Sequence, residues 1–599
     1  MIKSNKHTIT CSILILVGLI SVFYPCFNFP PISDTWELLY SFHNLDSYPG
    51  TVKWLNILNF DPVEEVGYRP LANLIYFIIY SIPDSSYSAF NILNFCLYLL
   101  NILLFYRFSL YFIKNKKLAA CFIALFAFLF NHCDIILWSC HIFILLGVCL
   151  FLIGYICFIE FLKTARVKLL YITTTFFILG TLCYESFALW PLAIIFIANI
   201  DNFKTIKGPS AKFKLLSAYI TLGSVYSISF LLFLYIKSLG TYVDPTRSIM
   251  DFFRLKIILS SLFLTFFNIL YNTVCVNIIP FIPFPLKVTE NIYMAGPVIN
   301  YVQKVPQIIT FIGTSFAAGL FILFFILYRK KQLNELKIFG LFLFLILSET
   351  YIVFLGKLGI SHTFSYCLSE FRYQYIPNAF FILLIAYVID RYLNPSKKFL
   401  RFIYISLIMI ALLNIINVYR VTRVYNNHLA NLNKIISSIR AGMDHGVINK
   451  KDKVYIQKDI PDYLPSLCWN IEMGERFIKE GNYKWMFPKK DIELFADNIN
   501  DATWIINKRS FKITRKTEIS EQEKGLLIGE GKSEQFNFLA IHYAFEGDNY
   551  KAIETLKKAI EINSDDYNAY KKLEYLYREL NLKDELYKVT EKLRLLKSK

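Results

Sequence analysis

The chain has 599 residues, of which 55% are hydrophobic, 17% aromatic and only 18% charged. A soluble domain carries about 25% charged residues, so this composition excludes a chain that is water-soluble over its whole length and indicates a polytopic membrane protein. The formal net charge of +18 lies largely in short Lys/Arg clusters between apolar runs. Such clusters are typical of cytoplasmic loops, and they give no reason to expect nucleic acid as a partner.

Apolar runs long enough to cross about 30 Å of hydrocarbon recur up to residue 419. The first run follows Lys3 and Lys6 and ends without a small-residue cleavage site, which predicts a retained helix and a cytoplasmic N-terminus. Ordering the basic clusters by the positive-inside rule predicts about eleven spans. The predicted spans are 8–27, 87–112, 215–236, 308–328, 338–355, 375–388 and 402–418, with one pair meeting near His132 and one pair of short helices meeting at Tyr184.

The apolar segment 257–281 is ambiguous. If it crosses the membrane, the Arg329–Lys331 cluster falls outside, against the positive-inside rule. We therefore expect it to dip into the membrane or to lie at the interface.

The composition changes sharply after Arg420, which predicts three regions. Residues 1–420 form an all-α polytopic membrane domain, and residues 421–535 form a soluble linker with a small mixed α/β element. Short strands are predicted at 453–456 and 503–506. Residues 536–599 are typical of tetratricopeptide-type helical repeats, with a plain helical hairpin as the alternative.

Ionisable residues near the outer ends of the spans are the candidate functional groups, because such groups are costly in a membrane unless they are wet or paired. Asp34 follows the first helix closely, and the alternative is an N-cap for a helix over 35–41. His132 precedes Asp134 in a very short turn, which could equally be a polar turn without further function. Glu185 lies in an otherwise apolar stretch, where a satisfied structural carboxylate is the alternative.

Arg372 is a fourth candidate, at the outer start of a predicted helix. Its planar guanidinium could bind a phosphate through two parallel hydrogen bonds. The alternative is a structural ion pair with Glu370 or Asp34.

Taken in chain order, these motifs resemble a GT-C-type membrane glycosyltransferase, closest to the transmembrane and tetratricopeptide-repeat O-mannosyltransferases and their bacterial relatives. The matching motifs are Asp34, Tyr68-Arg69-Pro70-Leu71, Phe90-Asn91-Ile92-Leu93-Asn94, His132-Cys133-Asp134 with Trp138, Tyr184-Glu185 ahead of Pro191, and Phe371-Arg372-Tyr373-Gln374-Tyr375-Ile376-Pro377. The chain departs from the family pattern at four places, where Ser33, Asp134, Tyr184 and Phe371 stand for Asp, Glu, Lys and Glu.

The resemblance implies transfer of a sugar, expected with inversion, from a polyprenyl-phosphate-linked donor to an acceptor protein or glycan outside the cytoplasm. It implies that Asp34 is the general base and that Arg372, with Arg69 as second candidate, holds the lipid phosphate. Further substrate contacts are expected from His132, Asp134, Glu185 and Tyr373, and Glu37, Glu64, Glu65 and Trp138 are expected beside the site.

The cofactor is unknown from the sequence. Some GT-C enzymes use a divalent metal, but these residues fix no metal site. The Lys-, Asn-, Ile- and Phe-rich composition suggests a bacterial inner membrane, with the C-terminal tail outside and able to bind a protein partner.

Two other functions fit the composition. A glycan polymerase, ligase or transporter would place its key charges within the helices or on cytoplasmic loops. A membrane-anchored scaffold would bind protein through the tail and would leave Asp34, Glu185 and Arg372 free to change.

The topology predicts that Cys468, in the tail, is extracytoplasmic. A membrane-impermeant thiol reagent should label it in intact cells whose outer membrane, if present, is permeabilised. Labelling only after lysis would reverse the tail and imply that 257–281 crosses the membrane.

Overall fold

We describe the protein from a computed structural model of the chain. The described residues are 6–28, 57–58, 69–81, 88–129, 132–137, 141–200, 211–239, 258–262, 265, 306–359, 375–393, 397–449, 452–456, 501–506, 513–518, 533, 536–537, 540, 543–544 and 549–598. The chain divides into two compact units, Met1–Asn426 and Asn427–Lys599.

The regular secondary structure described in the first unit is all helical. Its α-helices are α1 Lys6–Phe23, α2 Pro70–Ser81, α3 Ser88–Ser109, α4 Lys116–Ala127, α5 Cys133–Leu137, α6 Ile142–Thr164, α7 Val167–Thr181, α8 Ala193–Asn199, α9 Ala211–Leu239, α10 Pro306–Arg329, α11 Leu333–Gly359, α12 Tyr375–Val388 and the first part of α13 Lys397–Asp444, whose residues after Asn426 belong to the second unit. Two 3₁₀ segments, Tyr24–Asn28 and Glu185–Leu192, and a π-helical turn, Ile389–Leu393, interrupt or extend them.

Within the described part of the chain, six helices are long and apolar enough to cross a membrane. They are Ser88–Ser109, Ile142–Thr164, Leu215–Leu232, Leu333–Val353, Tyr375–Tyr392 and Lys398–Ile416. The expectation of a mainly helical membrane protein is confirmed at this level. The predicted break at Tyr184 is also confirmed, because α7 ends at Thr181 and the next 3₁₀ segment begins at Glu185.

Two features of the helices differ from the sequence prediction. The described part of the span that leads to His132 is α4, whose 12 residues cover only about 18 Å. Helix α2, also of 12 residues, was not predicted, because it is too short to register as a span. Of the ambiguous segment 257–281, only residues 258–262 and 265 are described.

At one end of the first unit, charged side chains pair with one another and with backbone N–H groups. Asp390 accepts hydrogen bonds from the backbone N–H groups of Lys114 (2.7 Å) and Asn115 (3.2 Å). Arg391 forms an ion pair with Glu335 at 2.8 Å. These contacts join the start of α4, the start of α11 and the π-helical turn, and we call this end the basic end.

The same end joins α3 to α6. The Tyr111 hydroxyl donates to Glu160 at 2.6 Å, and Lys163 lies 3.5 Å from that carboxylate and 4.2 Å from the Tyr111 ring centroid. Tyr111, Glu160 and Lys163 are thus paired with one another at the basic end.

The helices of the first unit pack through aromatic rings that occupy the space above glycines. The Phe177 ring lies where a Cβ on Gly154 of α6 would stand, 2.3 Å from that position. Phe177 is fully buried and contacts the rings of Phe151 and Tyr155, with centroids 5.3 Å away in each case. The glycine therefore allows α6 and α7 to approach closely around a ring that has no room to move.

The second unit contains a small sheet and three C-terminal helices. Strands β1 Val454–Ile456 and β2 Trp504–Ile506 pair in parallel, which confirms both predicted strands. Strand β3 Ile513–Arg515 pairs antiparallel to β2, and it was not predicted. Trp504 donates its indole N–H to Asp452 at 3.1 Å at the edge of the sheet.

The C-terminal helices are α14 Asn549–Ile562, α15 Tyr567–Glu579 and α16 Lys583–Ser598. Small residues fill the contact between them: Ala552, Ala559 and Ala569 are at most 1% exposed. Asp566 caps α15 through the backbone N–H of Ala569 and also accepts from Ser533 and Asn537. Ala552 and Ala559 lie on one face of α14 and allow the neighbouring helices to approach closely.

We expect Gly154→Ala to destabilise the protein by about 1–3 kcal/mol, because the new methyl group would overlap the immobile Phe177 ring. Gly223→Ala in α9 is the matched control, since nothing lies within 4 Å of its Cβ position. That control should be neutral or slightly stabilising, because Ala favours helix over Gly. Thermal unfolding of both variants in one detergent tests the difference, and equal melting temperatures would contradict the packing described.

Candidate functional site

The helical backbone breaks between α4 and α6, at the end of the unit opposite the basic end. Inside an apolar bundle, carbonyl groups released by such a break must find partners from the protein. Three side chains spaced at i, i+4 and i+7 on one face of α3, Asn94, Tyr98 and Asn101, supply them. We call this set the polar stripe of α3.

Each member of the polar stripe of α3 binds a carbonyl in or beside the break. The Asn94 amide donates to the carbonyls of Ile135 (2.7 Å) and Ile136 (3.0 Å). The Tyr98 hydroxyl donates to Ala127 at 2.9 Å, and Asn101 donates to Leu145 at 2.9 Å. All three side chains are fully buried, so the stripe holds both edges of the break and the short helix α5 between them.

His132 lies at the centre of this arrangement and is 1% exposed. Its Nδ1 is 3.1 Å from the Tyr98 hydroxyl, and its Nε2 is 3.4 Å from the amide nitrogen of Asn378. Since Tyr98 donates its hydroxyl proton to Ala127, its oxygen must accept from His132, which assigns the ring proton to Nδ1. Nε2 then accepts from the Asn378 amide, and both ring nitrogens are occupied by protein groups.

The His132 ring is neutral at physiological pH. His132 lies outside the six candidate spans, and burial lowers the pKa of its imidazole to about 3, opposed weakly by the nearby carbonyl of Phe126. The ring packs edge-on against Phe126 and Tyr375, with centroids 4.7 and 5.0 Å away. His132 is therefore an uncharged residue that links the break to the start of α12.

Arg69 occupies a second polar position at this end, immediately before α2. Its guanidinium carbon lies 4.3 Å from the Phe143 ring centroid and 5.0 Å from that of Tyr184. The backbone that follows Arg69 is also held in place, because the Leu71 N–H donates to the carbonyl of Leu182 at 3.1 Å. Arg69 is therefore oriented by two aromatic faces beside the residue that precedes Glu185.

We call this end of the unit the His132 end; α2, α3, α6 and α12 begin there, and α4 and α7 end there. The structure brings together His132 with the start of α12, and Arg69 with Tyr184. It describes the backbone of Asp134, in α5, and of Glu185, at the start of its 3₁₀ segment. The other predicted site residues lie outside the described residues: Asp34, Glu37, Glu64, Glu65, Trp138, Arg372 and Tyr373.

Sequence reasoning missed one ionisable residue within the membrane unit. Glu349 of α11 is 1% exposed, and its Oε2 has no hydrogen-bond partner among the described residues. The signal was present, since Ser348-Glu349-Thr350 interrupts a long apolar run. One carboxylate does not change the prediction of a span for so long an apolar run, so the pattern alone gives Glu349 no role.

The described residues include no group of three or more His, Cys, Asp or Glu side chains that could hold a metal ion. Three of the four carboxylates whose side chains are described in the first unit lie at the basic end, where each has a partner: Glu160, Glu335 and Asp390. The fourth is Glu349 of α11, and the side chains of Asp134 and Glu185 lie outside the described ones.

Comparison with known proteins gives no family assignment. No protein-family model matches the chain, and no curated protein matches it significantly.

We expect Tyr98→Phe to cost about 1–3 kcal/mol of stability, because the Ala127 carbonyl and the His132 Nδ1–H lose their partner while remaining buried. Tyr219→Phe in α9 makes the same chemical change at a side chain that is 53% exposed, and it should alter stability by less than about 0.5 kcal/mol. Thermal unfolding of the two variants in the same detergent provides the comparison. A Tyr98→Phe protein as stable as the control would show that this bond pair does not hold the break.

Proposed function

We propose that the protein is a GT-C-type membrane glycosyltransferase that moves a sugar from a polyprenyl-phosphate-linked donor to an extracytoplasmic acceptor. The observation that supports this most is the meeting of distant motifs at the His132 end. Asn94 and Tyr98 bind the break that contains His132, His132 binds Asn378 just after Tyr375-Ile376-Pro377, and Arg69 packs on Tyr184. A scaffold anchored by its helices would not need these motifs at one end.

The charges of the two ends support an orientation for this proposal. The basic end would face the cytoplasm and the His132 end the outside, in agreement with the positive-inside rule. In this arrangement the membrane domain has about eleven spans, the N-terminus is inside, and the tail is extracytoplasmic. A lipid-linked sugar phosphate at the outer surface would then meet the His132 end.

The proposed reaction needs one base and one cation. The acceptor hydroxyl oxygen attacks the anomeric carbon, Asp34 takes the hydroxyl proton, and the bond from that carbon to the phosphate oxygen breaks with its electron pair on the lipid phosphate. Arg372 binds the phosphate as its charge develops, and Arg69 is the second cation. Asp134, Glu185 and Tyr373 would contact the sugar.

His132 takes a different role in this proposal from the sugar contact expected from the sequence. Because both of its ring nitrogens have protein partners, it would position the turn that leads to Asp134. The link to Asn378 would hold that turn next to the start of α12, three residues after Arg372.

We also propose that residues 536–599 form tetratricopeptide-type repeats that bind the acceptor or a partner protein and perform no chemistry. Their core combines small residues with larger apolar ones, as expected for stacked helix pairs: Ala552, Leu556, Ala559, Ala569 and Leu573.

A second candidate function has one observation in its favour. Glu349 lies inside a helix, where a glycan polymerase, ligase or transporter would carry its key charge. A transfer assay on purified protein separates the glycosyltransferase from a transporter, because a transporter moves its substrate without breaking the bond between sugar and lipid phosphate.

Asp34→Asn should insert and fold normally, still bind the lipid donor, and lose transfer by at least about 100-fold, because loss of a general base costs 10²–10⁴-fold in rate. Arg372→Ala should weaken both donor binding and transfer, since a phosphate contact also exists in the ground state. Sugar transfer from synthetic lipid donors and equilibrium donor binding, measured on the same preparations, test the two roles.

Asp34→Asn and Arg372→Ala serve as controls for each other, because only Arg372→Ala is expected to weaken donor binding. If Asp34→Asn retained more than about a tenth of wild-type transfer, the base would have to be reassigned to Glu64, Glu65 or Asp134. If the protein transferred no sugar from any lipid-linked donor, the proposed function would be wrong.

A further inference from the structure

At the basic end, a group of charged side chains surrounds one aromatic ring where α3 and α6 end side by side. The centroid of the Tyr111 ring lies 5.7 Å from the guanidinium carbon of Arg107 and 4.2 Å from Nζ of Lys163. Glu160 accepts a hydrogen bond from the Tyr111 hydroxyl at 2.6 Å and lies 3.5 Å from Lys163. We call these four residues the Tyr111 cluster, in which one ring orients two cations.

The Tyr111 cluster is accessible from outside the protein. Arg107 is exposed, and the side chains of Lys163 and Glu160 are 32% and 34% exposed. Two cations meet one carboxylate here, and the planar guanidinium of Arg107 can give a phosphate two parallel hydrogen bonds. Because the ring already orients both cations, they lose less side-chain freedom when they bind an anion.

An exposed apolar stripe on α3 leads directly to Arg107. Its members follow one another at three or four residues and therefore share one helix face with Arg107: Ile92, Cys96, Leu100 and Leu103. At 1.5 Å per residue, Leu103 lies about 6 Å and Cys96 about 16.5 Å from Arg107 along the helix axis. Half of a hydrocarbon core of about 30 Å is about 15 Å, the depth of one leaflet. An acyl chain that starts at Arg107 would therefore lie along Leu103 and Leu100 and end near Cys96.

The cluster and the stripe together match an anionic phospholipid. A soluble phosphate would use the cations and leave the stripe without a role, and an uncharged lipid would use only the stripe. A zwitterionic phospholipid carries a phosphate too, but its cationic head group would be repelled by Arg107 and Lys163. Basic side chains between helices at a cytoplasmic membrane surface suit anionic head groups, and the basic end is the end predicted to face the cytoplasm.

We propose that the Tyr111 cluster binds the phosphodiester of an anionic membrane phospholipid, with one acyl chain along the exposed stripe of α3. Arg107 and Lys163 bind the phosphate, and Glu160 limits the affinity because its charge opposes that of the phosphate. The lipid links the ends of α3 and α6 to the membrane surface. This site is independent of the proposed sugar transfer, which is assigned to the His132 end.

The experiment compares two lipids that differ only in the head group. Full-length protein in detergent is titrated with phosphatidylglycerol or with phosphatidylcholine of the same acyl chains, and native mass spectrometry gives the dissociation constant of each bound lipid. Wild type should bind phosphatidylglycerol more tightly. Arg107→Gln should weaken phosphatidylglycerol binding about 10- to 100-fold, the range expected for hydrogen bonds to a charged group, and should change phosphatidylcholine binding less than about twofold.

Arg329→Gln is the matched control. Arg329 ends another exposed apolar helix, α10, and its guanidinium carbon lies 5.0 Å from the ring centroid of Phe325, but it is not part of the Tyr111 cluster. This variant removes the same charge and should change phosphatidylglycerol binding less than about twofold. Glu160→Gln should instead tighten that binding about two- to fivefold, the range of surface charge pairs, because it removes the opposing charge.

Four results would overturn the inference. Wild type could bind both lipids equally, or Arg107→Gln could keep the preference for phosphatidylglycerol. An equal loss in Arg329→Gln would mean that the lipid responds to the overall surface charge and not to the Tyr111 cluster. Glu160→Gln that binds no more tightly than wild type would show that the phosphate lies elsewhere. If Arg107→Gln does not fold, Lys163→Gln provides the same test, with the same loss expected.

Discussion

The polar stripe of α3 is the contact on which the membrane unit depends. An apolar bundle offers no water to carbonyl groups, so a chain that leaves the helix inside it must be satisfied by side chains. Asn94, Tyr98 and Asn101 do this from a single helix face and bind carbonyls on both sides of the break. Each bond contributes only about 1 kcal/mol net, but an unmet buried carbonyl costs more than that. The stripe therefore fixes where the chain can depart from a helix.

The break has a consequence for function, because it places polar groups at a depth where continuous helices would carry only apolar side chains. His132 connects the break to α12 through Asn378, so the start of α12 and the turn before α6 form one assembly. The opposite end has its own paired charges, centred on Asp390 and Glu335. In the function we propose, one end fixes the orientation of the protein in the membrane and the other end performs the chemistry.

Sequence patterns predicted the long helices well, because a span of about 20 apolar residues is a strong signal. They predicted the strands at Val454 and Trp504 but not β3, where Ile513 and Thr514 lie between the basic residues Lys512 and Arg515. Asn94 was noted from its family motif, yet its role as a carbonyl ligand required the break to be seen in three dimensions. Tyr98 and Asn378 could not be predicted as partners of His132, because contacts across 34 and 246 residues of sequence leave no periodic signal.

In the function we propose, the lipid phosphate binds at the His132 end. A polyprenyl phosphate with a photoreactive group next to the phosphate, cross-linked to the full-length protein and mapped by mass spectrometry, tests this most directly. We expect labelled peptides from the start of α2 and from the segment that leads into α12, close to Arg69 and Arg372. Labelling confined to the basic end, around Lys114, Lys163 and Arg391, would contradict it.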